Sequence, residues 1–231
     1  MNYNKSKVTI LIPCKNEGEG LREIIRSVKR YASEIIVIDS HSQDNSKEIA
    51  YEEDVKFILD HGLGKGDAVR LGLKEAKNKI VVVVDADGSF DIHDIPKMVN
   101  LLSRNQADLV VGSRKLGGSF DFDVNFSGVI RTSGADFMTA LVNNKFKTKL
   151  TDILYGFKAI KRDVANKLVL KSNDFAIDQE IVVSCLKNGF KVLQVPSTEK
   201  KRVWGESKLK NVTGINLLLK LLQQLFVNIE K

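Results

Sequence analysis

The chain has 231 residues, 43% of them hydrophobic and 28% charged, with a formal net charge of +7 and a sequence pI near 9.3. That is enough apolar material for a substantial core, it argues against a disordered chain, and nothing in the sequence suggests repeats. Cys14 and Cys185 lie far apart without CxxC or Cys/His spacing, which excludes a disulfide framework and a zinc site, and no apolar run reaches the ~20 residues that span a bilayer.

In chain order, Val8 to Ile12 predicts a first strand stopped by Pro13, and Leu21, Ile24, Ile25 and Val28 follow the spacing of an amphipathic helix. Ile35 to Ile38 predicts a second strand ending at Asp39. The polar run Ser40 to Ser46 is a loop rich in capping residues that leads into a short helix near Lys47 to Glu53. Val55 to Leu59 is a third strand, and Gly64-Lys65-Gly66 opens a helix through about Ala76. Ile80 to Val84 is a β-branched run, the pattern of a strand buried on both faces of a parallel sheet. It ends in Asp85-Ala86-Asp87. Leu109 to Val111 forms another strand before Gly112-Ser113-Arg114.

Beyond residue 115 the alternation weakens. Gly117-Gly118-Ser119 and the acidic-aromatic run Phe120 to Phe126 read as a loop, followed by a helix from about Ser127 to Val142. Leu154 to Ile160 and Val192 to Val195 predict strands, with helices at about Arg162 to Val169 and Ile177 to Lys187. Ile215 to Ile229 predicts a C-terminal amphipathic helix interrupted by Lys220, Gln223 and Gln224, suited to docking on the domain, pairing in a homodimer or lying on a membrane surface. Alternating strands and helices imply one mostly parallel α/β sheet, Rossmann-like, with helices on both faces. No linker composition divides it. Residues 1–115 are expected to form a nucleotide-binding half, 116–210 an acceptor-binding half, and 211–231 the terminal helix.

Ligands of open α/β sheets collect beyond the carboxyl ends of the strands. The segments from Pro13 to Glu17, Asp39-Ser40, Asp85 to Asp87 and Gly112 to Arg114 all follow strands, so they converge on one sheet edge. Asp85 and Asp87 project to the same side of an extended segment and together suit a hard divalent cation, Mg²⁺ or Mn²⁺, carrying a diphosphate. An isolated Asp-Ala-Asp-Gly also suits a plain turn. Asp39 suits a ribose or base edge, or an N-cap. Lys65 between two glycines supplies charge for a diphosphate. Neither GxGxxG nor GxxxxGK[ST] is present, which argues against a dinucleotide oxidoreductase and a P-loop NTPase. His41, His61 and His93 are too scattered for a metal cluster, and Trp204 is expected to anchor its loop on the core.

Pro13-Cys14-Lys15-Asn16-Glu17, Gly64-Lys65-Gly66, Asp85-Ala86-Asp87, Gly112-Ser113-Arg114, Tyr155-Gly156-Phe157-Lys158-Ala159 and Trp204-Gly205-Glu206-Ser207-Lys208 together resemble the ordered motif series of family 2 glycosyltransferases, nearest to the dolichol-phosphate mannose synthase-like enzymes. The resemblance covers about residues 7 to 210. It implies the GT-A fold, a nucleotide sugar donor, a divalent metal and inversion at the anomeric carbon. It assigns Asp85 and Asp87 to metal and diphosphate, with Ser89 as a third candidate ligand where the family often carries Gln. Pro13, Asn16, Glu17, Asp39, Lys65 and Ala86 fall at nucleotide-sugar positions. Arg114 and Arg131, with Ser133 beside them, resemble the residues that hold an acceptor phosphate. Arg202 and Lys208 match a basic loop that closes over the diphosphate.

The activity so implied is transfer of a hexose, from a GDP-mannose or UDP-glucose type of donor, to a polyprenyl phosphate by a cytoplasmic enzyme peripheral to the membrane. A phosphate acceptor is already ionised near neutral pH, since its second pKa is about 6, so it needs no strong base. A hydroxyl acceptor would need a carboxylate, for which Asp178 and Glu180 are the candidates, unless they form only a solvated first helical turn. A soluble acceptor, as in glucosyl-phosphoglycerate synthase-like enzymes, is the alternative. Nucleic-acid binding, the remaining reading of the basic charge, is not expected.

Overall fold

The computed structural model describes residues 4–119, 126–204 and 213–226. The first half alternates without exception: β1 (Val8–Cys14), α1 (Gly18–Val28), β2 (Glu34–Asp39), α2 (Ser46–Glu52), β3 (Lys56–Leu59), α3 (Lys65–Glu75), β4 (Ile80–Val83), α4 (Ile95–Ser103) and β5 (Leu109–Ser113). There follow α5 (Arg114–Gly117), α6 (Phe126–Phe146), β6 (Lys158–Lys161), α7 (Arg162–Ala165), α8 (Ile177–Lys187), β7 (Val192–Pro196) and α9 (Thr213–Phe226). The strands make one 7-stranded sheet in the order β3-β2-β1-β4-β6-β5-β7. All run in one direction except β6, which is antiparallel to both β4 and β5.

Period-2 alternation in the strands divides the core between two faces. Ile10, Ile12, Val37 and Val82 meet α1, α2 and α4 on one side, through Leu21, Ile25, Ile49, Met98 and Leu102. Leu11, Ile36, Val81 and Val83 meet α3, α6, α8 and α9 on the other, through Leu73, Met138, Ile181 and Leu221. A helix-covered sheet of this kind leaves the strand ends as the place where loops can gather and ligands collect.

Several sequence expectations are corrected. Pro13 does not stop β1, which runs on to Cys14, with Pro13 in register with Ile38. β4 stops pairing with β1 at Leu11, so beyond that point the proline lies in a stretch with a neighbour on one side only, where a missing N–H is tolerated. The strand expected from Leu154 begins only at Lys158, because the Asp152 carboxylate accepts the amides of Leu154 and Tyr155 (both 3.2 Å) and folds that stretch into a turn. The helix expected to reach Val169 ends at Ala165. α4, which the sequence reading passed over, carries Ile95, Met98, Val99 and Leu102 on its buried face, with a proline in its first turn.

α9 docks on α6 and α8. It buries Leu217, Leu221 and Leu225 and leaves a second apolar row, Ile215, Leu219 and Phe226, exposed. Among the described residues no helix is long and apolar enough to cross a membrane.

Candidate active site

The two acids after β4 are each held by a cation. Lys65, in the first turn of α3, places Nζ 2.9 Å from Asp85 Oδ2, and Arg202 places Nη2 2.9 Å from Asp87 Oδ2. Arg202 also lies 3.7 Å from Glu17 Oε1 at the end of the β1–α1 loop. Asp87 Oδ1 accepts the Ser89 amide at 2.9 Å, so Ser89 braces the carboxylate through its backbone. These are oxygen donors only, and among the described residues no group of three His, Cys, Asp or Glu side chains converges on a metal position. A pair of carboxylates fits a hard divalent cation that completes its shell with phosphate oxygens and water. That the pair already attracts two side-chain cations shows the field such an ion would feel.

Behind Asp85 the charges continue inward. Lys65 Nζ is 3.2 Å from Asp178 Oδ2, and Asp178 Oδ1 is 3.1 Å from Lys158 Nζ, which also donates to the Tyr155 carbonyl. Burial pushes Asp85 above the usual carboxylate range although Lys65 pulls the other way. Burial acts likewise on Asp178, but Lys158 and Lys65 outweigh it and hold that carboxyl below its ordinary value. For Lys65 burial disfavours the charge, and Asp178 and Asp85 more than compensate, so its ammonium is raised. Burial prevails at Lys158, whose ammonium is lowered despite Asp178. The alternative that Asp178 and Glu180 form only a solvated turn is overturned, since both are buried. Glu180 faces away from this row of charges and accepts the amides of Lys171 (2.9 Å) and Ser172 (2.8 Å). It anchors the loop that packs on the start of α3.

Gly156 makes the close approach possible. A Cβ there would lie 2.9 Å from Lys65 Nζ and 3.2 Å from Asp85 Oδ2. Phe90, Tyr155 and Phe157 floor this region, with ring centroids 5.0 and 5.1 Å apart from Phe90 to the other two.

At the same sheet edge, on the other side of β1, Asp39 Oδ1 accepts the Ser42 amide at 2.8 Å, while its buried Oδ2 has no donor among the described residues. Asp60, after β3, repeats the arrangement: Oδ1 takes the Gly62 amide at 2.7 Å and Oδ2 has no donor. Buried acceptors without donors are costly, about 1–3 kcal/mol each, and mark adjacent strand ends as places wanting N–H groups. The sequence reading passed over Asp60, although it follows a strand just as Asp39 does. Asn16, in a left-handed conformation at φ 52°, ties two loops together: its Oδ1 accepts from Gln43 N and its amide donates to Ser42 Oγ, both at 2.7 Å.

The segment carrying Arg202 is stitched to the acidic loop by backbone bonds, Lys200 N to Ser89 O (2.8 Å) and Val203 N to Asp87 O (3.1 Å). Trp204 packs on the core as expected. It lies in a slot made by Gly20 and Gly88, where an added Cβ would come within 2.6 and 2.7 Å of its ring. Arg114 is bound bidentately to Asp152 (2.7 and 3.1 Å) and reaches Glu199 at 3.4 Å. Three of its five N–H groups are thus engaged among the described residues. Ser133 is exposed on α6. The expectations for the Arg131 side chain and for Lys208 lie outside the described residues.

The sequence profile described as glycosyl transferase family 2 matches residues 9–169. The chain belongs to that family. It is 32% identical to the dolichol-phosphate mannosyltransferase of Pyrococcus furiosus over 90% of its own length and 60% of that enzyme's, so it spans less than two thirds of that relative. It is 30% identical to an uncharacterised protein of Methanocaldococcus jannaschii over 96% of this chain and 93% of the other. Its fold superposes on glucosyl-3-phosphoglycerate synthase of Mycobacterium tuberculosis, solved with Mn²⁺, uridine diphosphate and glucosyl-3-phosphoglycerate, with a TM-score of 0.76 at 17% identity, covering 96% of this chain and 81% of that one. The fold is GT-A, and the protein is a glycosyltransferase.

Proposed function

We propose that this glycosyltransferase moves a hexose, with inversion, from a nucleoside diphosphate donor of the GDP-mannose or UDP-glucose type to a polyprenyl phosphate at a membrane surface. The observation that carries the reading is the pairing of both acids of Asp85-Ala86-Asp87 with cations, Lys65 and Arg202, each at 2.9 Å. Such a site suits a charged diphosphate and the divalent ion that accompanies it.

Asp85 and Asp87 would hold Mg²⁺ or Mn²⁺, which supplies Lewis acidity at the departing diphosphate. Lys65 and Arg202 offset the negative charge that grows on that group. Asp39 and Asp60 offer acceptor oxygens to N–H groups of the nucleobase. Arg114 has two N–H groups not engaged among the described residues with which to orient an acceptor phosphate for in-line attack, and an ionised phosphate needs no base. The outer apolar row of α9 suits contact with the lipid's hydrocarbon or the bilayer that carries it, which supports a peripheral position for the enzyme.

The test is incubation with labelled GDP-mannose or UDP-glucose, Mn²⁺ and either a polyprenyl phosphate or 3-phosphoglycerate. Label is expected in the organic phase with the lipid, and none after chelation. Product confined to the aqueous phase would move the acceptor to the soluble class. No transfer from either donor would overturn the reading of the site.

A further inference from the structure

Resting on the transferase reading of the same site, we propose that Lys158 is a positioning residue that acts through Asp178 to set the charge Lys65 presents to the donor's diphosphate. The inverted strand puts it there. Because β6 runs against its neighbours, its first residue, Lys158, lies in register with Val83 at the carboxyl end of β4 and with Val111 of β5. A parallel strand would have put that position at the opposite edge of the sheet. Lys158 therefore reaches the loop edge from below, 1% exposed and shut off from solvent.

Its influence follows from how Asp178 divides its two oxygens, Oδ1 to Lys158 at 3.1 Å and Oδ2 to Lys65 at 3.2 Å. Lys65 in turn is 2.9 Å from Asp85 Oδ2. The row Lys158, Asp178, Lys65, Asp85 alternates in sign and sums to zero. Remove the cation at the far end, and Asp178 has Lys65 as its remaining partner in the row. Lys65 is then drawn inward, and the row becomes negative by one charge. A polyanion must bind more weakly to such a site and a bare metal cation more tightly, because the same field acts on opposite charges. Lost packing could not produce opposite signs, since the apolar stem of Lys158 is replaced by a side chain of similar reach in Lys158→Met.

The measurement is isothermal calorimetry on the full chain, with Mn²⁺ alone and with GDP and UDP in saturating Mn²⁺. Lys158→Met is expected to weaken nucleotide binding about tenfold and to tighten Mn²⁺ alone several-fold. Lys158→Arg keeps the charge and should stay near the parent protein. Lys158→Met combined with Asp178→Asn restores a neutral row and should bring both affinities back. Weakening of both ligands together, or no rescue by the second substitution, overturns the proposal. Should Lys158→Met fail to fold, Asp178→Asn alone carries the test with reversed signs: tighter nucleotide, weaker Mn²⁺, and any other pattern overturns it. If neither nucleotide binds the parent protein, the transferase reading fails, and the Mn²⁺ measurement still decides on Lys158.

Discussion

The guanidinium of Arg202 lies 2.9 Å from the carboxylate of Asp87, so a side-chain cation neutralises one of the two acids that a divalent metal would claim. On the proposed reading, metal and Arg202 would therefore compete at Asp87 until a diphosphate gave the guanidinium another partner. Arg202→Gln is expected to tighten Mn²⁺ binding several-fold in the absence of nucleotide and to weaken nucleoside diphosphate binding about tenfold. Fluorescence of Trp204, two residues along the same strap and the only tryptophan, reads both titrations. Equal affinities in the two proteins would remove Arg202 from the site.

Gly156→Ala addresses the meeting of Lys65 with Asp85. The added methyl presses mainly on the tip of a flexible lysine, 2.9 Å away, so the fold has room to adjust while the ion pair does not keep its geometry. Transfer activity should fall at least tenfold, with thermal stability reduced by about 1–3 kcal/mol or less. A melt shifted strongly together with the activity would show the effect to be global.

Glu180→Gln tests a structural assignment. Each oxygen of this carboxylate takes one backbone amide, and the amide side chain can accept at only one of them. The expected cost is about 2 kcal/mol, or roughly 6 °C in Tm, with the donor KM changed less than twofold. A large loss of kcat with an unchanged melt would instead return Glu180 to the acceptor site.

Burial pushes both thiols, Cys14 and Cys185, up to about 12. The thiolate is the reactive form, so neither should react with a thiol reagent at pH 8 in the folded protein, and both should react promptly in denaturant. Rapid labelling of the native chain would contradict the packing of β1 or of α8.

Much of this arrangement is legible in the sequence because its signals are local. The β-branched run before Asp85 declares a buried strand, and the acids that follow mark a candidate site. Helix α4 was equally legible: Ile95, Met98, Val99 and Leu102 have the same spacing as the residues used to find α1, and Pro96 opens rather than breaks a helix. The turn at Leu154 to Phe157 was not, because it depends on a carboxylate, Asp152, competing with the strand for backbone amides. Lys158 illustrates the deeper limit. Its place beside Asp178 depends on strand direction, and no local pattern distinguishes a strand that runs up from one that runs down.

The direction of β6 also bears on the order in which the chain can assemble. β3, β2, β1 and β4 are contiguous in the sheet and complete by residue 83, whereas β5, made next, touches only β6 and β7. On a growing chain β5 has no strand to join, and β4 keeps an open edge, until β6 arrives some 45 residues later and pairs with both. Two apolar strands thus wait on one short keystone, which makes a chain interrupted before residue 158 prone to pair with its own kind.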